Sequence, residues 1–412
     1  MENQETTKIT NLPRNVWVVG ITSFFMDVSS EMVLNILPLF LANVLGVHTA
    51  LIGMIEGVAE ATASLLKMVS GWFSDRIGNR KWLAVIGYSI SALSKPFFYL
   101  ASSWGLIAGV RWADRVGKGV RTAPRDALVA DSTPLAQRGR AFGFHRAMDH
   151  AGAVLGILIS AAVVWAAQRT SVDISRNTFQ TLVLLSLIPA FLAVLTLATG
   201  ARETVVEGRR QAPRIQLKQM GKPFLTFLVI VSLFTLGNSS DAFLVLRAQN
   251  LGVSVLGILI ILAAFNLVVT LLSTHSGGLS DRIGRKRVII GGWLIYAVIY
   301  LGFGLADQAW HAWALYALYG VYYSLAFGTA NALVADLVPA ELRGTAYGTY
   351  HAVVGLLAFP SSLIAGILWQ GLGGWSGFGP SAPFLFGGGL ALLATILLAV
   401  FMPSLKYTQQ QN

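Results

Sequence analysis

Two acidic residues, Asp27 and Glu31, lie in the first long apolar segment of the 412-residue chain. Because they are four residues apart, they share one face of a helix. Two carboxylates so close in a dry environment cannot easily both be ionised, so one of them could take up and release a proton. The alternative is a permanent ion pair with bases on another helix. Glu56 and Glu60 repeat this spacing in the second apolar segment, where both interpretations are equally favoured.

A basic stripe runs along the fourth apolar segment, formed by Arg111, Arg115, Lys118, Arg121 and Arg125. At 100° per residue these side chains fall within an arc of roughly 120° on a helix. Such a stripe could hold an anionic substrate through Arg115 and Lys118. The alternative is that it neutralises the acidic residues of the neighbouring helices.

Ionisable residues inside apolar segments are costly and mark functional candidates. The two signs balance here, which favours mutual neutralisation. The seven acidic residues are Asp27, Glu31, Glu56, Glu60, Asp114, Asp149 and Asp241, and the seven basic residues are Lys67, Lys95, Arg111, Arg115, Lys118, Arg146 and Arg247.

Tyrosines replace the basic stripe in the tenth apolar segment, at Tyr316, Tyr319, Tyr322 and Tyr323. We expect them to line a substrate path. The residues predicted for that path are Arg115, Lys118, Asp241, Tyr316, Tyr319 and Tyr323.

His145 and Asp149 stand on adjacent turns of the fifth segment. A histidine can move protons near neutral pH, and a His–Asp pair could also serve a lipid-modifying enzyme. Because no third ligand or nucleophile accompanies the pair, the sequence indicates a structural role, no metal site and no catalytic residues.

The elements that position these groups are membrane-spanning helices. The chain is 55% hydrophobic, has a mean hydropathy of +0.64 and is only 12% charged, against about 25% charged residues in soluble domains. A span needs about 20 apolar residues, and twelve such runs occur. They begin near residues 16, 51, 82, 105, 141, 178, 223, 255, 288, 312, 346 and 383.

The distribution of charge predicts the topology. Lysine and arginine concentrate in alternate loops, whereas the opposite loops carry only Arg169 and Arg176. Both termini are therefore predicted to be cytoplasmic. The net charge of +11 arises from this loop pattern. It predicts a lipid bilayer, and not nucleic acid, as the partner.

We expect the polar residues 1–13 to precede a retained helix and not a signal peptide. The absence of cysteine from the sequence excludes disulfides and thiolate chemistry.

An internal repeat divides the chain into two halves. The segment from Gly71 to Lys81 recurs from Gly277 to Arg287, and the stretch Ala127–Asp131 recurs letter for letter as Ala332–Asp336. The only long polar break lies between the halves. We therefore predict an N-terminal six-helix bundle over residues 1–200, a cytoplasmic linker over 201–222 and a C-terminal six-helix bundle over 223–412.

The repeated loop resembles the best-known motif of the major facilitator superfamily, Gly-x-x-x-Asp-Arg-x-Gly-x-Arg-Lys. The resemblance implies an all-α membrane protein of twelve transmembrane helices in two pseudo-symmetric six-helix bundles. It also implies that the two loops act as gates. Their residues are Gly71, Asp75, Arg76, Gly78, Arg80, Gly277, Asp281, Arg282 and Gly284.

The same resemblance places helices one, four, seven and ten around the central cavity. It gives Arg111 the position of an arginine that communicates with the first-helix acid in antiporters. Gly152 and Gly156 resemble the fifth-helix motif of those antiporters, although Ile157 replaces its proline.

Together these patterns predict a proton-coupled secondary transporter and not an enzyme. We expect a monomeric efflux antiporter for a small organic solute in the bacterial inner membrane, driven by the proton gradient without a cofactor. Asp27, Glu31, Arg111, Glu56 and Glu60 are the predicted coupling residues. The alternative is a proton-coupled importer of an organic anion such as a carboxylate, phosphate ester or siderophore. The sequence has no P-loop for nucleotide-driven transport, and a non-transporting sensor would leave the buried charges without a use.

Overall fold

The computed structural model describes residues 12–134, 137–169, 171–203, 220–339 and 342–402. These residues are almost entirely helical, and no β-strand occurs among them. The helices are α1 (Arg14–Leu34), α2 (Leu37–Asn43), α3 (Thr49–Ile77), α4 (Arg80–Ser94), α5 (Pro96–Tyr99), α6 (Trp104–Asp131), α7 (Arg138–Gln168), α8 (Arg176–Gly200), α9 (Gly221–Gly237), α10 (Asp241–Asn250), α11 (Val255–Ile283), α12 (Arg285–Leu305), α13 (Ala309–Asp336), α14 (Arg343–Gln370) and α15 (Ala382–Phe401).

The fifteen helices form twelve segments, because α1 continues into α2, α4 into α5 and α9 into α10. Within the described residues, nine segments are long and apolar enough to cross a membrane. The other three are α4 with α5, α6 and α13. Helix α4 ends after 15 residues, α6 carries the basic stripe, and α13 is rich in tyrosine and tryptophan.

The interruptions have local causes. Pro38 and Pro96 stand in the first turns of α2 and α5, where a missing N–H is tolerated. The break between α9 and α10 leaves polar backbone inside the protein, which must find partners there. The Tyr296 hydroxyl donates to the Gly237 carbonyl oxygen at 3.2 Å and to Asn238 Oδ1 at 3.1 Å.

The chain divides into two compact units. The first comprises Met1–Leu34, Leu65–Ser160 and Phe179–Ala212, and the second comprises Asn35–Ser64, Ala161–Thr178 and Pro213–Asn412. The sequence repeat and the compact units therefore divide the chain differently, since the segment around Glu56 belongs to the second unit. The bundle boundaries drawn from the repeat stay a prediction, and residues 204–219 of the predicted linker lie outside the described residues.

Large apolar side chains remain exposed along the helices, among them Trp165, Ile188, Phe191 and Val229, each more than 60% accessible. Soluble proteins seldom expose so much apolar surface. A lipid environment removes the cost of this exposure, as expected for a chain that spans a membrane.

Candidate functional site

Two glycines of α7 let α1 pack almost backbone to backbone. A Cβ on Gly156 would lie 2.5 Å from the Val28 carbonyl oxygen, and one on Gly152 would collide with the Phe24 carbonyl oxygen. One turn further, Ser160 Oγ donates to the Met32 carbonyl oxygen at 3.2 Å. The two helices therefore run side by side over two turns, with small residues at the contact.

This packing brings together acidic residues from two helices. Asp27 of α1 is half-buried, and its electrostatic neighbours are the carboxylates of Asp149 and Glu31 and the bases Lys118 and Arg121. Asp27 and Glu31 were predicted to act together, whereas Asp149 was assigned to packing alone. We call Asp27, Glu31 and Asp149 the carboxylate cluster.

The packing of α1 on α7 gives a direct prediction. Gly156→Leu should separate the two helices and lower thermal stability, because overpacking costs about 1–3 kcal/mol. Gly143→Leu on the same helix is the matched control, since a Cβ there meets no other atom within 4 Å. The melting temperature of the purified protein measures both changes, and an equal effect of the two substitutions would contradict this account.

A chain of polar contacts extends from the carboxylate cluster along α1 and α7. His145 Nδ1 lies 3.6 Å from Asp149 Oδ2, and His145 Nε2 lies 2.9 Å from Ser23 Oγ. Ser23 Oγ also lies 3.0 Å from the Tyr88 hydroxyl and accepts a bond from Arg125 NH1 at 3.3 Å. Buried polar side chains thus connect the Asp149 carboxylate with groups on α4 and α6.

The basic stripe of α6 finds partners inside the first unit. Arg111 NH1 forms an ion pair with Asp114 Oδ2 at 3.5 Å, and Arg115 also acts on Asp114. Arg121 NH1 donates to Ser91 Oγ at 2.6 Å, and its guanidinium lies 4.5 Å from the Tyr88 ring centroid. These contacts favour neutralisation of acidic residues over an anion clamp.

Lys95 is a central residue that the sequence reasoning counted only as one of seven bases. Its side chain is 1% exposed, and Nζ donates to Ser29 Oγ at 2.5 Å and to Ser30 Oγ at 3.2 Å. Asp114, Asp27 and Glu31 are the carboxylates that act on it. Lys95 directly precedes Pro96, and a lysine at a helix break in an apolar segment is the signal that could have identified it.

Glu56 and Glu60 do not join the carboxylate cluster, because they belong to the second unit. Glu56 is buried and Glu60 is exposed. Their part of α3 packs tightly on α14: a Cβ on Gly57 would lie 2.7 Å from Phe359 Cα, and one on Gly53 would collide with the Ser362 carbonyl oxygen. Their role in proton coupling stays a prediction.

The contact of α3 with α14 extends to the helix ends opposite the repeated loops. A Cβ on Gly366 would lie 2.5 Å from Ala50 Cα. Thr49 N donates to Gln370 Oε1 at 2.7 Å, and Gln249 Nε2 donates to Asn43 Oδ1 at 2.8 Å. We call these contacts the far-end closure. They join segments from both halves of the repeat within the second unit.

Asp241, a predicted substrate-path residue, is exposed at the first position of α10. The Tyr319 hydroxyl donates to Asp241 Oδ1 at 2.8 Å. Tyr316 is buried and Tyr323 is half-buried, and both rings contact the Tyr319 ring. The structure therefore brings these four predicted residues together, along with Phe265, which the sequence did not indicate. Arg115 and Lys118 belong to the other unit.

The first repeated loop is anchored through Arg80, whose side chain forms an ion pair with Asp131. A Cβ on Gly71 would lie 3.3 Å from the Ala123 Cβ, and Arg76 lies over the Trp72 ring. Glu203, which the sequence did not indicate, accepts from Arg80 N and Lys81 N at 2.9 Å each and so caps α4.

The second loop forms an equivalent ion pair. Alignment of the two motifs pairs Arg80 with Lys286, but the residue that forms the ion pair is Arg285, one position earlier. Arg285 Nε lies 3.4 Å from Asp336 Oδ2, whereas Lys286 donates to the carbonyl oxygens of Ala399 and Met402. Helix α12 begins directly after Gly284, while Asn79 separates Gly78 from α4. The conserved offset of 336 − 131 = 205 residues was the signal for Arg285.

The structure describes the predicted gate residues only in part. The side chains at Asp75, Gly277 and Asp281 lie outside the described residues, and Arg282 is exposed. Gly78 and Gly284 adopt φ of 69° and 94°, which favours glycine. Gating by these loops stays a prediction.

Comparison with known proteins identifies the family of this chain. The family model described as Major Facilitator Superfamily matches residues 19–361 and 224–411. The chain belongs to the major facilitator superfamily. An uncharacterised MFS-type transporter of Methanocaldococcus jannaschii is 35% identical over 393 residues, which cover 94% of each chain. The prediction from the repeated loop is thereby confirmed.

More distant proteins agree on the fold. A homolog of the multi-drug resistance efflux pump PmrA from Lactococcus lactis is 23% identical over 389 residues, covering 88% of this chain and 91% of that one. A crystal structure of a nucleoside transporter superposes with a TM-score of 0.76 at 13% identity, covering 93% and 99%. The all-α, twelve-helix architecture of the superfamily is thus confirmed for this multi-pass membrane protein. The chain is a transporter and not an enzyme, so the His145–Asp149 pair has no lipid-modifying role.

Proposed function

We propose that this transporter exports a small organic solute in exchange for protons. The observation that supports the proposal is the carboxylate cluster, which joins Asp27, Glu31 and Asp149 across the contact of α1 with α7. Three carboxylates in one protein interior cannot all carry charge at little cost, so one of them is suited to hold a transferable proton. Acidic residues inside membrane helices have this role in many pumps.

Asp27 is the proposed carrier. The carboxylates of Asp149 and Glu31 repel a negative charge on Asp27, whereas the bases Lys118 and Arg121 attract it. Protonation of Asp27 removes one negative charge from this balance and frees the bases to change partners. We propose that His145 and Ser23, which connect with Asp149, carry the proton between the cluster and the cytoplasmic side.

Arg111 keeps the proposed role of sensing the first-helix acids. Its ion-pair partner Asp114 also acts on Lys95, which in turn is acted on by Asp27 and Glu31. A change of charge at Asp27 therefore reaches Arg111 through two intermediate groups. In this way proton binding would bias the position of α6.

Alternating access requires the far-end closure to form and break. With both termini in the cytoplasm and the protein in the cell inner membrane, as the loop charges predict, this closure lies on the outer side. We propose that the protein acts as a monomer and that the repeated loops close the inner side in the opposite state. Substrate release to the outside then requires α3 and α14 to part.

Export is favoured over import of an organic anion for two reasons. Three bases of the stripe have partners within the protein: Arg111 and Arg115 face Asp114, and Arg121 binds Ser91 and Tyr88. The Lactococcus relative is named as an efflux pump. Direction itself depends on gradients, so it needs a direct test.

That test compares cells with and without the gene. Export predicts that deletion raises sensitivity to toxic compounds that are substrates, and that a plasmid copy restores resistance. Import predicts instead that deletion lowers the accumulation of a labelled organic anion. Unchanged sensitivity across a broad compound panel, with loss of anion uptake, would overturn the proposed direction.

A further inference from the structure

Asp241 occupies a distinctive place in the second unit. It is the first residue of α10, directly after the break at residues 238–240, and its side chain is exposed. Between Glu207 and Asp281 it is the only acidic residue of the sequence. In transporters such interrupted helices line substrate sites, and the N-terminus of a half-helix favours a negative charge. Here Asp241 itself supplies that negative charge. The position therefore combines an accessible charge with the backbone geometry of a binding site.

Aromatic rings surround this carboxylate. The Tyr319 hydroxyl donates to Asp241 Oδ1, and the Tyr319 ring stacks on Phe265 with centroids 5.4 Å apart at 24°. Phe265 meets Tyr323 edge to face at 5.7 Å, and Tyr316 meets Tyr319 edge to face at 6.3 Å. Phe265 and Tyr323 are half-buried and so retain accessible surface next to Tyr319, which binds Asp241.

A second observation points to a missing ligand. The Tyr316 side chain is 2% exposed, and its hydroxyl has no hydrogen-bond partner among the described residues. The charged group that acts on this hydroxyl is Asp241. A buried hydroxyl without a partner costs about 1–3 kcal/mol, and a cation bound at Asp241 would offset part of that cost through an ion–dipole contact with the hydroxyl oxygen.

The basic residue nearest in sequence is committed elsewhere. Arg247, on the same helix as Asp241, donates to the carbonyl oxygens of Phe303 at 3.0 Å and Ala306 at 2.7 Å, and to Asn250 Oδ1 at 2.6 Å. Its guanidinium thus binds backbone carbonyl groups at the end of α12. An incoming cation at Asp241 would not have to displace it.

We infer that Asp241, Tyr316, Tyr319, Tyr323 and Phe265 form a binding site for the positively charged nitrogen or phosphorus of an organic cation. Aromatic faces attract cations within about 6 Å of their centroids, most strongly when water is excluded. The carboxylate supplies the counter-charge, and the rings supply apolar contact for the organic substituents. Binding of an organic cation does not depend on the proposed export. Only the direction in which the bound cation is moved rests on that proposal.

The test is equilibrium dialysis of the purified full chain in detergent, without any gradient. Three probes differ in charge: tetraphenylphosphonium and tetraphenylborate carry four phenyl rings and opposite charges, and triphenylphosphine oxide is a neutral probe with three phenyl rings. We expect the phosphonium to bind at least about tenfold more tightly than the neutral oxide, and the borate to bind most weakly. Asp241→Asn should weaken phosphonium binding by about tenfold and leave the oxide unchanged, which corresponds to the loss of one charge contact.

Asp307→Asn is the matched control, because this acidic residue is 75% exposed and its ion-pair partner is His311 on the adjacent turn. Equal binding of the three probes to the unaltered protein would overturn the inference, whether or not Asp241→Asn folds. Unchanged phosphonium binding by a folded Asp241→Asn variant would overturn it as well. Because no proton transfer is needed for binding, failure of this test is distinct from failure of proton-coupled export.

Discussion

Asp27→Asn is expected to reduce proton-driven export to the background of membranes that lack the protein. The asparagine amide is close in size to the carboxylate but cannot take up and release a proton. It also removes one charge from the carboxylate cluster, so Lys118 and Arg121 lose a partner. Exchange of labelled for unlabelled substrate, which needs no net proton movement, should continue in the variant. This pattern separates a coupling residue from one that only supports packing.

The comparison requires a control of the same chemistry outside the cluster. Asp307→Asn is suitable, because the Asp307 side chain is 75% exposed between α12 and α13 and pairs only with His311 on the adjacent turn in the described contacts. Initial rates of substrate movement at a fixed pH gradient are measured for both variants in membrane vesicles with matched protein levels. Wild-type, gradient-dependent rates in Asp27→Asn would refute its assignment as the proton carrier.

Gly53→Leu should prevent the far-end closure and stop transport while the protein remains folded. Leucine at this position meets the Ser362 carbonyl oxygen, which is backbone and cannot rotate away. Overpacking of about 1–3 kcal/mol in one of two states shifts their ratio roughly 5- to 150-fold. The ratio of molecules closed at the far end to molecules open there is expected to fall by that factor.

The absence of cysteine from the sequence makes the closure easy to follow. Thr49→Cys and Gln370→Cys place two thiols on either side of the closure, where the Gln370 side chain reaches the Thr49 backbone, so a bifunctional thiol reagent should cross-link them. Adding Gly53→Leu should lower the cross-linked fraction severalfold. Gly348→Leu on α14 is the matched control, since a Cβ there meets no other atom within 4 Å. Equal cross-linking in both backgrounds would contradict the predicted steric block, and transport that continues after the cross-link is lost would show that the closure is not needed for the cycle.

The sequence predicted those features that depend on spacing along one helix. Asp27 and Glu31 share a face because they are four residues apart, whereas the ion pairs of Arg80 and Arg285, each of which joins two different helices, were not predicted. The long apolar segments and the repeated loop together indicated the fold class.

The sequence could not show which faces of different helices meet. Asp149 joins Asp27 only because Gly152 and Gly156 let α7 approach α1, and the same glycines are compatible with many other partners. Phe265 likewise reaches Tyr319 through the packing of α11 on α13. Glu56 and Asp27 looked equivalent by spacing, yet they belong to different compact units. Tertiary packing decides these matters, and periodicity in one segment carries no information about its neighbour.

Proton movement driven by substrate tests the central claim most directly. Everted membrane vesicles are energised to an acidic interior and loaded with a pH-reporting dye, and a panel of drugs, metabolites and organic anions is added. Proton-coupled export predicts that some compounds, organic cations first among them, dissipate the acid gradient in vesicles with the protein and not in empty ones or in Asp27→Asn vesicles. An undisturbed gradient with every compound, while substrate binding is still detectable, would contradict proton antiport and favour uptake or uniport.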